Sequence, residues 1–364
     1  MANLRFENLT KEFDGLVAVN NLNLSIKNGE FYVLLGPTGA GKTTSLRCLS
    51  GLDKEHQGQV YIGDENVSSY SPALRNVAMV FQQYSLYPHY TVRQNLEFPL
   101  KSKIRNLSAD EIRKRVSYVA ETLHITPLLD RKTDKLSGGE MQRVSIGRAI
   151  VRQPKAFLMD EPLSSLDAKL REALRLELKR LQKELDATLL YVTHDQVEAM
   201  SMADRIGIIQ EGQLIQSSTP FEVYNQPKNV FVASFIGSPK INLFDALIDE
   251  GNLVIKGASS PIALEPETQE KLKNTKGDII VGIRPEDIFI TRESTPSSVP
   301  TEVFLVENMG MENLVNFYID QYHFKASVDS GFEVARKDKV FFHFDQSKLH
   351  FFDKETEENL TQPI

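Results

Sequence analysis

The sequence contains a single cysteine, Cys48, and no tryptophan. One thiol excludes an intrachain disulfide bond, and such a composition is typical of proteins that fold in a reducing compartment. Long apolar runs are also missing, because no stretch approaches the ~18 apolar residues of a membrane-spanning helix. The segment from Met1 to Gly15 carries charges and lacks the apolar core of a signal peptide. These absences predict a cytoplasmic protein that acts at a membrane only by docking on a partner.

An excess of basic residues is missing as well. The 42 Lys and Arg residues are outnumbered by 49 Asp and Glu residues, which gives a formal net charge of −7. This balance counts against nucleic acid as the main partner, and we expect no nucleic-acid binding. A chain of 364 residues, 41% hydrophobic and 25% charged, is long enough for roughly two globular domains.

The most informative feature that is present is a glycine-rich loop with the pattern G-x-x-x-x-G-K-[ST]. It follows a short apolar stretch, Phe31 to Leu35, that predicts a buried strand, and it precedes Ser45 to Leu52, which predicts a helix. Glycines let backbone N–H groups crowd around phosphate oxygens, and the helix adds its positive N-terminal end. In this pattern Lys42 reaches the β and γ phosphates, and the Thr43 hydroxyl ligates Mg²⁺. The loop comprises Gly36, Pro37, Thr38, Gly39, Ala40, Gly41, Lys42, Thr43 and Thr44.

Two further segments, Ala156 to Met159 and Leu189 to Val192, are short and apolar throughout, as buried parallel strands are. The first of them runs directly into Asp160 and Glu161. In an enzyme with a phosphate loop, Asp160 would lie near the metal and interact with it through water. Glu161 would point at the water that attacks the γ phosphate and polarise it as a general base. A strand that ends in solvated acids is the alternative.

The pattern of predicted secondary structure changes at about Phe235. Before that point, Leu4 to Leu9 and Leu22 to Ile26 alternate as antiparallel edge strands do, and a capping box, Ser108 with Glu111, predicts the start of an amphipathic helix. After it, many short strand-like segments without long helices suggest a small barrel. These segments are Leu243 to Ile255, Asp278 to Ile290, Glu302 to Val306, Leu314 to Ile319 and Lys339 to Phe344.

A second possible anion-binding device is the string LSGGE, Leu136 to Glu140, which precedes a helix beginning near Met141. A serine and two glycines at a helix start present backbone N–H groups to an anion. Taken alone, a plain N-cap with flexible glycines would be the preferred interpretation. Two such devices in one chain suggest that one nucleotide is held from two sides.

LSGGE resembles the signature motif of ABC-type ATPases, and the other motifs of that family follow in the family's order between roughly residues 3 and 235. Gln82, in MVFQQYSLYPH, matches the Q-loop glutamine, and Asp167, in Ser165-Leu166-Asp167, matches the D-loop. His194, in YVTHD, matches the switch histidine. Phe13 lies where the family has an aromatic residue that stacks on adenine. The ordered set makes the resemblance highly specific.

Several phrases are similar to those of ATPase subunits of carbohydrate importers of the maltose-importer type, among them EPLSSLDAKLR, THDQVEAMSMADRI, FIGSPKINLF and VGIRPEDI. The resemblance implies an α/β P-loop ABC-ATPase domain over residues 1–235, with a mixed sheet core and a helical subdomain at about 86–150. It implies a β-rich OB-like (TOBE-type) regulatory domain over residues 236–364. Two residues depart from the usual pattern, because Glu140 replaces a glutamine and Gln83 stands where a serine is common.

In the family, two such subunits meet head to tail, and each ATP lies between the phosphate loop of one and the signature loop of the other. The resemblance therefore implies that Phe13 stacks on adenine and that Gly36 to Thr44 holds the phosphates. It implies that Thr43, Gln82 and Asp160 organise Mg²⁺. Glu161 is implied as the base, assisted by Gln82 and by His194, which contacts the γ phosphate. The residues implied to contact ATP from the signature and D-loop side are Ser137, Gly138, Gly139 and Asp167.

The partners implied are a second ATPase subunit, identical or related, and transmembrane permease subunits that dock on the aromatic stretch Tyr84 to Tyr90. An extracytoplasmic solute-binding protein takes part indirectly. The chain is thus expected at the cytoplasmic face of the membrane, as the motor for import of a sugar or a related solute. ATPases of polyamine, sulfate or iron importers are the alternative. A soluble ABC ATPase is disfavoured, because the segment from Lys42 to Ser137 is too short for the long coiled coil of the repair type.

Overall fold

The computed structural model describes residues 1–54, 56–102, 106–257, 261–273, 275, 277–295 and 298–361. The chain divides into two units, Met1–Pro220 and Phe221–Ile364, and each has a hydrophobic core of its own. The domain boundary expected after residue 235 lies further along the chain and stays a prediction. None of the helices in the described ranges combines the length and the apolar character that crossing a lipid bilayer requires.

Strands and helices are mixed along the first unit. Its strands are β1 (Leu4–Phe13), β2 (Leu16–Ile26), β3 (Phe31–Leu35), β4 (Gln57–Ile62), β5 (Glu65–Asn66), β6 (Val77–Val80), β7 (Ala156–Asp160), β8 (Leu189–Thr193), β9 (Arg205–Gln210) and β10 (Gln213–Ser218). Its helices are α1 (Lys42–Ser50), α2 (Val92–Glu97), α3 (Ala109–Thr122), α4 (Gly138–Ile150), α5 (Ala168–Glu184) and α6 (Gln196–Met202), with 3-10 turns at Phe98–Leu100, Thr126–Leu128 and Thr133–Lys135. Helix α7 (Pro220–Asn225) begins at the last residue of this unit.

The central sheet of the first unit has the strand order β10-β9-β3-β8-β7-β6. Its neighbouring strands run parallel except for the antiparallel pair β10 and β9. Every residue of β3, β7 and β8 is buried, as expected for strands that are covered on both faces. The three apolar runs predicted as buried parallel strands are therefore confirmed. Their carboxyl ends lie side by side, and ligands of open α/β sheets bind at such ends.

A second, antiparallel sheet has the order β2-β1-β4-β5. The alternation in Leu4 to Leu9 led us to expect an edge strand, but β1 pairs with both β2 and β4 and lies inside the sheet. The reason is that alternation reports one buried and one exposed face, and this holds for interior strands of antiparallel sheets as well. The capping box at α3 is confirmed, because Ser108 accepts a hydrogen bond from the Glu111 N–H and the Glu111 side chain accepts one from the Ser108 N–H.

The second unit is rich in antiparallel strands. Its strands are β11 (Asn242–Asp249), β12 (Asn252–Ile255), β13 (Ile262–Ala263), β14 (Asp278–Ile283), β15 (Ile288–Thr291), β16 (Val299–Asn308), β17 (Glu312–Ile319), β18 (Tyr322–Asp329), β19 (Lys339–Phe344) and β20 (His350–Asp353). Its remaining helices are α8 (Val230–Phe235) and α9 (Pro266–Leu272), with 3-10 turns at Pro285–Asp287 and Gln346–Lys348. Two sheets result, with the orders β13-β12-β11-β14-β20 and β15-β19-β16-β17-β18.

Aromatic side chains fill the core of the second unit. The rings of Phe317 and Phe342 lie 5.0 Å apart, and those of Phe244 and Phe324 lie 5.1 Å apart. Each of the four is almost fully buried, and such tilted ring pairs add to the stability gained from the buried apolar area. All of the segments predicted as strand-like contain strands, whereas β13, β18, β20 and α9 were not predicted.

Candidate functional site

The phosphate loop connects β3 to α1, and two of its glycines are required by close contacts. A Cβ atom on Gly36 would lie 2.3 Å from the carbonyl oxygen of Ile209, and one on Gly41 would lie 2.3 Å from that of Ala18. Gly41 also has a φ of 99°, in the left-handed region that favours glycine. Helix α1 therefore begins on a glycine without a side-chain cap, and its first turn carries no acidic residue. Its first N–H groups remain available to an anion.

Lys42 is buried at the start of α1 and lies over the loop that precedes it. Its Nζ donates hydrogen bonds to the carbonyl oxygens of Gly36 and Pro37, both at 2.9 Å. Burial lowers the pKa of the Lys42 ammonium, while the carboxylates of Glu161 and Asp160 act in the opposite direction. The ammonium group is thus held at the loop by neutral acceptors, which a more strongly accepting phosphate oxygen can replace.

Thr43 connects the loop to the end of β7. Its Oγ1 donates a hydrogen bond of 2.8 Å to Oδ1 of Asp160. Burial raises the pKa of the Asp160 carboxyl, and the bond from Thr43 partly offsets this. A hydroxyl and a carboxylate at this distance offer oxygen ligands of the kind that Mg²⁺ prefers, so the residues present fit that cation.

Glu161 and His194 meet at the ends of the adjacent strands β7 and β8. Nδ1 of His194 lies 3.0 Å from Oε1 of Glu161. The Glu161 backbone has a φ of 44°, which is uncommon for a residue with a side chain, and its N–H donates to the carbonyl oxygen of Val192 at 2.9 Å. Backbone strain of this kind clusters at functional sites, where the surrounding structure holds it in place.

Lys42, Thr43, Glu161 and His194 line one cleft of about 450 Å³, a volume within the range of small-ligand sites. Asp160 is not part of this lining and reaches the cleft only through its hydrogen bond with Thr43. The structure brings together the residues predicted for phosphate and water chemistry, because Gln82, Glu161 and His194 line this cleft beside the phosphate loop. The loop residues in its lining are Thr38, Gly39, Gly41, Lys42, Thr43 and Thr44. Phe13 is not part of that lining. It lies half-exposed at the end of β1, with the Lys11 ammonium 4.6 Å from its ring centre.

The signature residues form the start of α4 and do not line the cleft of their own chain. Ser137 caps the helix, and its N–H donates a hydrogen bond of 2.8 Å to the carboxylate of Glu140. Gly139 packs so closely that a Cβ there would meet a methyl carbon of Leu170 at 2.7 Å. Asp167 similarly caps α5, because its carboxylate accepts from the Leu170 N–H at 3.0 Å. Ser137 is the N-cap of α4, and Gly138 is its first residue, so both lie directly before Gly139 at the start of this helix.

Comparison with known proteins identifies the family. The model of the ABC transporter family matches residues 19–164, and that of the MalK OB-fold domain matches residues 237–288. The chain is 48% identical to the osmoprotective compounds uptake ATP-binding protein GgtA of Synechocystis sp., over 98% of this chain and 99% of the relative. It is 46% identical, over 98% and 99%, to the trehalose/maltose import ATP-binding protein MalK of Thermococcus litoralis. The chain belongs to the ATP-binding subunits of carbohydrate-import ABC transporters.

A solved structure agrees with this assignment. The dimeric, post-hydrolysis ATP-binding cassette MJ0796, bound to ADP and Pi, matches with a TM-score of 0.53 and 33% identity, over 60% of this chain and 98% of that one. The expected fold class is confirmed: an ABC-ATPase α/β domain is followed by a β-rich OB-fold domain. This ABC subunit is an ATPase whose hydrolysis of ATP is coupled to import.

One buried carboxylate of this ABC subunit was missed by the sequence reasoning. Glu198 on α6 accepts hydrogen bonds from the Tyr191 hydroxyl at 2.8 Å and the Thr193 hydroxyl at 2.7 Å. Burial raises its pKa, and both hydroxyl donors act against that shift. The contacts tie the end of β8, and so the backbone of His194, to α6. The sequence does contain a signal for Glu198. The pattern Asp195-x-x-Glu198 indicates a helix start shortly after the apolar strand that ends near Val192.

Proposed function

We propose that two copies of this chain, or one copy and a related subunit, close around two ATP molecules and hydrolyse them to drive import of a neutral polyhydroxylated solute. The observation that carries the proposal is the pair of Glu161 and His194, 3.0 Å apart beside the phosphate loop. A carboxylate there accepts the proton of an attacking water, and the imidazole fixes its orientation.

The chain's own residues act in a defined order. The N–H groups at the start of α1 bind the β and γ phosphates, and Lys42 exchanges its bonds with the Gly36 and Pro37 carbonyl oxygens for bonds to phosphate. Phe13 stacks on adenine. Mg²⁺ supplies neutralisation of charge on the transferred phosphate, and the oxygen atoms of Thr43, Gln82 and Asp160 would hold it, in part through water. Glu161 then takes the proton of the water.

The second half of each site comes from the opposing subunit. Ser137, Gly138 and Gly139 of α4 bind the γ phosphate from the other side, and Asp167 lies at the same face. Symmetry lets one sequence supply both halves of two equivalent sites. Because ATP contacts both subunits only in the closed dimer, ATP shifts the equilibrium toward closure, and loss of the γ phosphate releases it. The absence of the signature residues from the lining of the cleft in one chain supports this arrangement.

Coupling to a permease requires an exposed surface near the cleft. The rings of Tyr87 and Phe98 lie 4.5 Å apart, Tyr90 lies 5.4 Å from Tyr87, and the Arg148 guanidinium lies 5.1 Å from the Tyr87 ring. All three rings remain partly exposed, as is typical of docking surfaces. We expect permease subunits to dock here, which holds the ATPase at the cytoplasmic face of the membrane, while a solute-binding protein acts on the opposite face.

The solute class rests on the relatives. GgtA is named for uptake of osmoprotective compounds and MalK for import of trehalose and maltose. Sugars such as trehalose and maltose are neutral and polyhydroxylated, and we propose a solute of this class. The ATPase is not expected to touch the transported solute.

The test uses the full chain with Glu161→Gln, which keeps the size and hydrogen bonding of the side chain but removes the base. We expect ATP hydrolysis to fall by about 10³-fold while ATP binding persists. Size-exclusion chromatography with light scattering should then detect an ATP-dependent dimer. Glu184→Gln, an exposed carboxylate on α5, is the control and should hydrolyse ATP normally.

Addition of Ser137→Arg to the Glu161→Gln variant should abolish the dimer, because a bulky cation fills the second phosphate site. Normal turnover by Glu161→Gln would remove Glu161 from the role of base. A dimer that persists with Ser137→Arg would contradict an ATP site shared between two subunits.

A further inference from the structure

The second unit contains a cavity of about 540 Å³ that shares no lining residue with the ATP cleft. All of its lining residues belong to Phe221–Ile364. They lie in and beside α7, α9, the turns at Pro285–Asp287 and Gln346–Lys348, and the start of β20, and in the C-terminal segment with Asn359 and Thr361. Its volume lies within the ~300–1,000 Å³ typical of sites for small molecules. Polar and apolar groups share the wall, so the cavity does not resemble a gap in a hydrophobic core.

One wall of this cavity is a buried, fixed guanidinium. Arg284 is only 1% exposed, and its Nη1 and Nη2 donate to the carbonyl oxygens of Ile236 and Tyr224 at 2.7 and 2.8 Å. Its carbon Cζ lies 3.7 Å from the Tyr224 ring centre. Its Nε–H is buried and has no acceptor among the described residues. A buried unpaired donor is costly, and it marks a place where a further acceptor would be stabilising.

The charges around the cavity balance. The cationic side chains in its lining are those of Arg284, Lys271 and Lys348, and the anionic ones are those of Glu265, Glu267 and Asp287. Lys271 and Glu267 already pair with each other at 2.8 Å. A polyanion would meet the carboxylates, and a polycation would meet the guanidinium and the ammonium groups. The wall therefore favours a neutral ligand that both donates and accepts hydrogen bonds.

Two further side chains in the cavity wall, those of Asp287 and His350, can form hydrogen bonds with a ligand. Asp287 is half-buried, and its carboxylate receives no hydrogen bond from any described residue; burial raises its pKa to about 6. His350 is 8% exposed, and burial lowers its pKa to about 4, so the ring is neutral near pH 7 and offers one donor and one acceptor. Hydroxyl groups are the ligand chemistry that serves both of them.

The cavity also has an apolar surface for the carbon skeleton of a ligand. Phe221 is 71% exposed and lines the cavity together with Tyr224. Its exposed ring offers an apolar face that a ligand can cover. An aromatic ring beside carboxylate, imidazole and guanidinium groups matches a molecule that has C–H faces and a rim of hydroxyls.

We propose that this cavity binds a neutral sugar or polyol as a regulatory ligand of the second unit, separate from ATP. The carboxylate of Asp287 accepts from ligand hydroxyls, the buried polar wall of Arg284 and His350 fixes the orientation, and Phe221 stacks on the C–H face. The inference does not depend on the proposed hydrolysis, because none of the residues in the ATP cleft takes part.

Ligand-observed saturation-transfer NMR and calorimetry on the full chain test this, with trehalose, glucose and sorbitol as the neutral probes. Glucose 6-phosphate, inorganic phosphate and spermidine are the charged comparisons. We expect at least one neutral probe to bind more tightly than every charged one. Binding should persist in Lys42→Ala, which disables the ATP cleft, so the outcome is independent of the proposed ATPase cycle.

Variants locate the site. Asp287→Asn removes the charge of a side chain that has no hydrogen-bonding partner among the residues that the structure describes, and it should weaken the best neutral probe by about tenfold. Phe221→Ala should weaken it by a similar factor, whereas Phe289→Ala, an exposed ring outside the cavity, should change nothing. Circular dichroism melts verify that each variant is folded.

The proposal is overturned by the absence of saturation transfer from all three neutral probes. It is equally overturned by tighter binding of phosphate or spermidine, or by affinity that is unchanged in both Asp287→Asn and Phe221→Ala.

Discussion

Two helices of the ATPase unit begin with glycine-rich loops, yet their N-termini differ in what occupies the first turn. Helix α1 follows the left-handed Gly41 and has neither a side-chain cap nor an acidic residue in its first turn. Helix α4 follows Ser137, which forms a complete capping box with Glu140. The N–H groups of α1 are therefore left for a ligand, while those of α4 are partly satisfied by the chain itself. A helix dipole is common to both, so the local side chains decide which end is ready to bind phosphate.

The charged side chains at the two N-termini add to the difference between α1 and α4. At α1 the Lys42 ammonium lies at the phosphate loop, and this positive charge favours phosphate. At α4 the Ser137 N–H and hydroxyl both donate to the Glu140 carboxylate, and these bonds lower its pKa, so that the side chain is anionic at neutral pH. The signature helix thus carries its own acid in its first turn.

The largest expected effect follows from removing the cation at α1. Lys42→Ala should weaken binding of MgATP by on the order of 100-fold, because about two charge-assisted hydrogen bonds to phosphate are lost. Isothermal titration calorimetry on the full chain measures it. Lys54→Ala, an exposed lysine shortly after the same helix, is the matched control and should bind MgATP as the wild type does. An affinity of Lys42→Ala within about threefold of the wild type would show that the loop N–H groups alone bind phosphate.

A smaller effect is expected on stability when a glycine of either loop is replaced by alanine. Gly41→Ala places a Cβ 2.3 Å from the Ala18 carbonyl oxygen at a φ of 99°, so we expect a loss of about 2 kcal/mol in stability. Gly138→Ala places its Cβ 3.2 Å from the hydroxyl oxygen of Tyr84, in a helical conformation, and the change should stay below about 1 kcal/mol. Urea unfolding followed by far-UV circular dichroism measures both. Equal losses would contradict the distinction between the two loops.

The parts of this site that the sequence predicted are those that depend on local order along the chain. The apolar runs that became β3, β7 and β8 end directly at the phosphate loop, at Asp160 and at Thr193, and buried parallel strands align such ends at one edge. The loop pattern and the acids were therefore found without knowledge of the packing, whereas His194 was found through the resemblance to the family's switch histidine.

The parts that the sequence did not predict depend on contacts that local patterns do not encode. The bonds from Lys42 to its own loop and the strained backbone of Glu161 follow from packing of the whole sheet. Strand β18 was overlooked although Phe324 and Ala326 alternate with polar residues, because two buried positions give a weak signal. The role of Glu198 depends on two hydroxyls of the neighbouring strand, and only the fold brings them within bonding distance.

The smallest predicted effect concerns the acid at α4. Glu140→Gln keeps the capping box, since either residue fits its third position, and removes one negative charge beside the γ phosphate of the opposing ATP. In the Glu161→Gln background, we expect the MgATP concentration that gives half-maximal dimer to fall about threefold at low salt. The gain should shrink at high salt, because exposed charges are screened.

The matched control for this change is Glu111→Gln, because Glu111 occupies the same position in the capping box of α3 with Ser108. It removes an identical charge from an identical cap, and the dimerisation curve should not move. Arg131, whose Nη1 lies 3.9 Å from the Glu140 carboxylate, offsets part of the repulsion, so Arg131→Gln should raise the half-maximal MgATP concentration. If Glu140→Gln and Glu111→Gln shift the curve equally, the acid at α4 acts through total charge and not through its place at the signature helix.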